Sequence, residues 1–465
     1  FFGELYPALQ ALKAAFDPFN QFNPGKIATP ANTGAALLKI DEVTLRGELD
    51  RQIDEKVWQS YGAALHCNGN GACYNFDPDD AMCPSWKGTR NRLHSPKGRA
   101  SLVREWLRLQ GQQGVDVLEL ALSSRSALLG LPRRALNTLA RKLGQKDFSH
   151  EVYEAMAGCL ACKSCAGQCP VKVNVPDFRS RFLQLYHSRY LRPLKDYLIG
   201  SLEYTIPHFA RVPRLYNGII GSRMVGAFLR RVAGMIDSPL LSLLDFDEVC
   251  RRWNVRVASP ALLERLDEAQ RARSVILVQD AFTRYFETPL LADWIELISR
   301  LGFEVYIAPF AANGKPLQVQ GFLKAFEKAA HCNGRSLRQL HRYQIPLVGL
   351  DPAMTLVYRQ EYAKTLGQDQ APSVLLPQEW LAQVLVPSAL CADQETYHFV
   401  PHCTEKTNAP AAVGDWQKVF AGYEYGKQWI KDNKPDVIFL VFNDHATAFS
   451  SDLIPTFAIG TAAVT

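Results

Sequence analysis

Residues 159–170 read CLACKSCAGQCP. Cys159, Cys162, Cys165 and Cys169 are separated by two, two and three residues, and Pro170 follows the last of them. Three thiols at this spacing can wrap one loop around a corner of a metal–sulfur cube, whereas a fourth, redirected ahead of a proline, points away. A structural zinc site is the competing explanation. Such sites are built from paired C-x-x-C knuckles and have no use for a triple closed by a proline. The stretch therefore predicts an iron–sulfur loop whose fourth ligand comes from elsewhere.

The run matches the ferredoxin-type pattern C-x2-C-x2-C-x3-C-P, whose last cysteine ligates the other cluster in two-cluster proteins. Residues 67–84, CNGNGACYNFDPDDAMCP, supply a second set of thiols. Cys67 and Cys73 are separated by five residues, with Asn70 where a full motif has cysteine, and Cys83-Pro84 repeats the Cys-Pro stop. The simplest crossed assignment puts Cys159, Cys162, Cys165 and Cys83 on one [4Fe–4S] cluster. Cys67, Cys73 and Cys169 then bind a second. Three thiolates suit a [3Fe–4S] cluster, or a [4Fe–4S] cluster with Asn70 or His66 as a non-cysteine ligand. The C-x5-C gap resembles the three-iron site in the iron–sulfur subunits of succinate and fumarate dehydrogenases. A single cluster, completed by Cys83 or Cys169, stays open. In either case the role is electron relay, since thiolate-bound iron moves one electron at a time.

Outside these windows the chain is ordinary. Its 465 residues suit about two to four domains. With 47% hydrophobic and 21% charged residues it is globular in composition. The net charge of +6 is spread over scattered basic residues, which argues against nucleic acid as a partner. Seven of eleven cysteines fall in the two windows, and clustering without an export signal favours metal over disulfides. No apolar run approaches the ~20 residues that span a bilayer. A cytoplasmic protein is expected, with the inner face of the membrane as the alternative site. The first residues, FFGELYPALQALKAAFD, lack a Met and the marks of a signal peptide. They read as an amphipathic helix entered part-way, so a fragment or processed product is expected.

Residues 1–30 read as that helix and a turn at Pro24-Gly25, and 31–60 as a helical linker. Within the linker, Leu45, Leu49, Ile53 and Val57 recur at helical spacing. Residues 61–192 form the iron–sulfur domain, with helical patterns in GRASLVREWLRLQ and LPRRALNTLARKLG. Residues 193–270 read as a helical connector rich in Arg and aromatics: connecting helices with solvated Arg, or a basic amphipathic surface that docks on a membrane or partner. From 271 to 420 the β-branched runs SVILVQD, FEVYIAP, IPLVGLD, SVLLP and YHFVPHC alternate with helical stretches, which predicts a parallel α/β domain. It carries no glycine-rich dinucleotide fingerprint and no phosphate loop. HCTEKT, at 402–407, is expected to end a strand, leaving Cys403 where α/β sheets place ligands, or as a buried small hydrophobe. The fold class expected is mixed: an α-helical two-cluster ferredoxin-like domain followed by an α/β cysteine-rich domain.

Several stretches resemble a known family. FDPFNQFNPGKI is similar to the end of the C-terminal domain of FAD-linked oxidases, the group of D-lactate and D-2-hydroxyglutarate dehydrogenases. Both cysteine windows resemble those of the large bacterial FAD and iron–sulfur fusion enzymes of that group. VQDAFTRYFETPL, APFAANGKPLQVQGFL, VGLDPAMTLVYRQEY and PHCTEKTNAPAA resemble their cysteine-rich C-terminal domain. The resemblance covers about residues 1–420. It implies oxidation of a D-2-hydroxy acid at FAD and electron transfer through clusters to an acceptor, a quinone or a carrier protein. It also implies Asn23 and Lys26 as FAD contacts. The family's FAD-binding domain is expected to lie outside this stretch, so the flavin is expected from another domain or subunit and this chain alone is expected to lack hydride transfer. A non-catalytic iron–sulfur partner of a separate flavoprotein is the rival expectation. Peripheral membrane contact and a homo-oligomer complete the expected associations. The Cys-Cys-Gly motif that follows HCTEKT in the family is missing, leaving Cys403 without its expected partners.

From about Tyr423 the tail resembles instead the β subunit of protocatechuate 4,5-dioxygenase, a non-haem Fe(II) ring-cleaving enzyme. The His of NDHA, His445, maps onto an iron ligand of that family. The family's other His and Glu ligands lie in segments missing from this sequence, and a catalytic Fe(II) site needs them. His445 thus reads as an idle remnant. The junction near Trp416–Tyr423 suits a gene fusion or an assembly artefact.

Overall fold

The chain enters its first helix, α1 (Tyr6–Phe16), through Pro7, whose fixed φ suits a first turn. The computed structural model describes residues 2–39, 47–77, 80–123, 130–235, 238–384 and 402–408. It divides into two compact units, Phe1–Glu55 and Lys56–Thr465. In the first unit α1 stops at Asp17. The Asp17 carboxylate pairs with Lys13 at 2.6 Å and accepts the N–H groups of Gln21 and Phe22. The expected turn follows, with Asn23 and Gly25 both at positive φ. The helix expected from the spacing of Leu45, Leu49, Ile53 and Val57 is interrupted. Glu48–Gln52 is a 3-10 turn, Ile53 is extended, and an α-helix begins only at Glu55.

The second unit is built from helices first. Ser95 caps α2 (Pro96–Gln112) by accepting the Gly98 N–H, and Pro96 opens it. Asp147 caps α3 (Phe148–Ala157), and α4 (Ser164–Gln168) sits inside the cysteine loop. Asn174 caps α5 (Val175–Arg189), the central helix of this region. Phe178 and Phe182 are fully buried on it. Phe182 meets Trp106 edge-on at 5.0 Å, and Tyr186 stacks on Tyr153 at 4.4 Å. The backbone N–H of Asn174 donates to the Ala63 carbonyl, which ties α5 to the chain entering the first cysteine window.

A run of short helices follows, including α6 (Leu202–Phe209), and then the sheet. In chain order come β1 (Arg256–Val257), β2 (Ser274–Val278), α7 (Thr288–Arg300), β3 (Glu304–Ile307), α8 (Leu323–His341), β4 (Leu347–Gly349) and α9 (Pro352–Leu366). The strands are all parallel in the order β1-β3-β2-β4. Side chains alternate across a strand, and here both faces are covered. Ile276 and Val278 face Phe326, Leu337, Val357 and Tyr362. Val275 and Leu277 face Leu291, Ile295, Ile298 and Trp380. Burial on both faces is why β2 reads as an unbroken apolar run.

Three expected strands therefore form. SVLLP contributes only a bridge between Leu375 and Val348. β1, two exposed residues within the segment expected to be purely helical, is too short and polar to leave a pattern. The strand expected to end at Cys403 is corrected in part: Cys403 opens a helix, α10 (Cys403–Asn408), and residues 385–401 lie outside the described residues. No described helix is long and apolar enough to cross a membrane.

Candidate metal centre

Folding brings the two cysteine windows together. Cys83, Cys159, Cys162 and Cys165 line one small cavity, with Arg99 and Lys163 as its charged neighbours. Cys83 arrives from upstream as the cap of a short helix, Pro84–Thr89. Its φ is 45°, and Ala161 and Lys163 in the second window have φ of 54° and 59°. Three non-glycine residues in the left-handed region are uncommon, and such conformations persist only where surrounding structure holds them. Here they curl the backbone so that the thiols face inward.

A second group forms around Cys73. Cys67, Cys83 and Cys169 are near enough for their charges to act on it. The backbone N–H of Lys97 donates to Cys73 Sγ at 3.3 Å. Asn70 and His66, the candidate non-cysteine ligands, are both exposed, and the Asn70 side chain accepts the Ala72 N–H at 3.0 Å.

The electrostatics of both groups point the same way. Burial pushes the Cys73 thiol up to about 11, opposed by the Lys97 N–H and reinforced by Cys67, Cys83 and Cys169. Burial, then the neighbouring Cys403, pushes Cys162 up to about 12. Burial also holds Cys165 well above its ordinary value and raises Cys83, the latter opposed by Arg99. Buried thiols this close cannot ionise together without a cation among them. Every described cysteine is free of disulfides. Among the described residues no set of three or more His, Cys, Asp or Glu side chains is gathered closely enough to hold a single metal ion. The cavity is lined by four thiols and the Ser85 hydroxyl, with a guanidinium and an ammonium beside them and no carboxylate. Such a set fits thiolate-bound iron–sulfur clusters in its chemistry.

The second window is held from the α/β side. Lys163, 3% exposed, ion-pairs with Glu361 on α9 and donates to the Gln360 side chain at 2.7 Å. Thr404 on α10 donates its hydroxyl to the Cys162 carbonyl at 3.0 Å, and Asn408 donates to the Lys163 carbonyl at 3.3 Å. Gly167 on α4 backs directly onto the Thr407 carbonyl. Sequence patterns missed Arg99, Lys163 and Thr404, since each is an isolated polar residue whose partner is remote in the chain. Cys403 does lie beside Cys162. Asn23 and Lys26 are exposed within the turn of the first unit. His445 lies outside the described residues.

Over about nine-tenths of its length the chain is similar to bacterial oxidoreductases, the D-2-hydroxyglutarate dehydrogenases. The enzyme of Pseudomonas putida is 63% identical over 421 residues, that of Escherichia coli 46% over 431, and that of Haemophilus influenzae 38% over 436. The chain spans 42% of the length of each of these relatives. No family model matches the chain. No solved structure matches it either.

Proposed function

We propose that the chain is the iron–sulfur electron-relay portion of an FAD-dependent D-2-hydroxy-acid dehydrogenase, with D-2-hydroxyglutarate as the substrate of the complete enzyme. The observation that carries this reading is the gathering of Cys83 with Cys159, Cys162 and Cys165 around one buried cavity, in a chain similar to dehydrogenases of that name. Cys83, Cys159, Cys162 and Cys165 would hold a [4Fe–4S] cluster. Cys67, Cys73 and Cys169 would hold a second, [3Fe–4S] or [4Fe–4S]. Bound clusters supply one-electron transfer at a potential set by local charge, hydrogen bonding and exposure. The residues of the chain bury the thiols, orient them through left-handed backbone turns, and offer N–H donors to sulfur. The docking of α10 and Lys163 on the loop supports an electron exit on the α/β side. The flavin would belong to another domain or subunit, and the acceptor would be a quinone or a carrier protein.

The test is low-temperature EPR of the anaerobically purified chain, oxidised and reduced. A [4Fe–4S] signal on reduction is expected, with no turnover of hydroxy acid by the chain alone. Bound zinc and no paramagnetic signal would remove the relay.

A further inference from the structure

Arg99 is 1% exposed. Its Nε donates to the Ala155 carbonyl at 2.8 Å, one terminal nitrogen donates to Ser85 Oγ at 2.8 Å, and the other lies 3.8 Å from Cys83 Sγ. Among the described residues no carboxylate lies within ion-pair distance of it. Its situation differs from that of the other buried cations nearby. Lys163 is matched by Glu361. Arg179 spends its N–H groups on the Met156 and Val319 carbonyls, not on sulfur.

A guanidinium stays charged at any ordinary pH, and burying it without a counter-charge is costly. Among the described residues, the one acidic group within hydrogen-bond distance of it is the Cys83 thiol. On the same helical turn, the Lys97 N–H meets Cys73 of the other thiol group. The start of α2 thus gives one donor to each group, but only one of the two donors is cationic.

We infer that Arg99 is the built-in counter-charge of the Cys83 thiolate and raises the reduction potential of the cluster held by Cys83, Cys159, Cys162 and Cys165 relative to the one at Cys67, Cys73 and Cys169. The inference rests on the relay reading above. Reduction of a cluster held there would add one negative charge, and the Arg99 guanidinium, fixed within hydrogen-bond range of a ligand sulfur, would favour that form. Arg99 is a positioning residue in this account, since it acts through Cys83. The contact is present in both oxidation states, and only its strengthening on reduction counts, so its loss should move the reduction equilibrium about tenfold.

The experiment is an EPR-monitored redox titration of the anaerobically reconstituted chain, wild type against Arg99→Gln and Arg99→Lys. Arg99→Gln is expected to lower the midpoint of the first cluster by about tenfold in the equilibrium, 59 mV for a one-electron couple, and to move the second cluster by much less. Arg99→Lys, which keeps the charge but not the fork of donors, should fall between. In wild type, electron–nuclear double resonance in H2O against D2O should show an exchangeable proton coupled to the first cluster. Should the Gln variant fail to fold, the midpoint of Arg99→Lys decides the matter. Iron present with midpoints unchanged, or no exchangeable proton at that cluster, overturns the role of Arg99 and leaves the relay standing. Wild-type protein that takes up no iron and sulfide overturns both.

Discussion

Lys163 should be one of the most costly single side chains to remove from the cysteine loop. Its side chain is 4% exposed and its ammonium pairs with one carboxylate oxygen of Glu361, whose side chain is 13% exposed and whose other oxygen is buried without a hydrogen-bond partner. Replacing Lys163 with Met strands that carboxylate against α9. Breaking a buried pair from one side costs about 3–5 kcal/mol, and the partial exposure of Glu361 points to the lower end. Removing both partners, as in Lys163→Met with Glu361→Leu, eliminates the stranded charge and should cost about 1 kcal/mol. Thr404→Val, which removes the donor to the Cys162 carbonyl, should cost about 1 kcal/mol by itself. The assay is urea unfolding of the full chain followed by tryptophan fluorescence. With a slope of about 3 kcal/mol per molar urea, the Lys163→Met midpoint should drop by about 1 M. The double variant should recover most of that loss. A single variant that loses less than about 1 kcal/mol, or a double variant no better than the single, would refute the clamp between this loop and α9.

Other perturbations follow from the same contacts. In Gly167→Ala the new Cβ would lie 2.0 Å from the Thr407 carbonyl oxygen, so α10 must move; hydrogen exchange should rise across 403–408, and unchanged protection would contradict the docking. Leu277→Ala empties a fully buried position between Ile295 and Trp380, and should cost about 3 kcal/mol in the same urea assay. Glu203 is buried beneath the Asn313 and Gly314 N–H groups, and burial holds its carboxyl up at about 7 against 4.5 when unfolded. Its folded value lies above the unfolded one, so its contribution is full below about pH 4.5 and is lost as pH rises towards 7. The loss is about 3 kcal/mol. Wild type should therefore weaken relative to Glu203→Gln between pH 4.5 and 7.5, and parallel profiles would contradict the assignment.

The sheet was legible where burial was two-sided. SVILVQD, FEVYIAP and IPLVGLD carry short apolar runs because helices cover both faces, whereas β1 has two exposed residues and no such signature. The linker failed for the opposite reason. Leu49, Ile53 and Val57 keep helical spacing, but the backbone at Ile53 is extended and breaks the period. At the thiol site, local spacing singled out Cys159, Cys162 and Cys165, and the fold lines one cavity with them and Cys83. Spacing was silent on Arg99, Lys163 and Thr404, whose partners at Cys83, Glu361 and Cys162 are set by tertiary packing. The helix at Cys403 was hidden because PHCTEKT combines an apolar approach with polar residues that suit either a strand end or a first helical turn.

The crossed arrangement of thiols is tested most directly by iron and acid-labile sulfide counts on anaerobically reconstituted wild type and Cys83→Ser. Wild type should hold about seven or eight irons per chain. Cys83→Ser should lose about four of them and keep the EPR signal of the site at Cys67, Cys73 and Cys169. A Cys83→Ser protein with its full iron content, or a wild type with fewer than about three irons, would contradict the account.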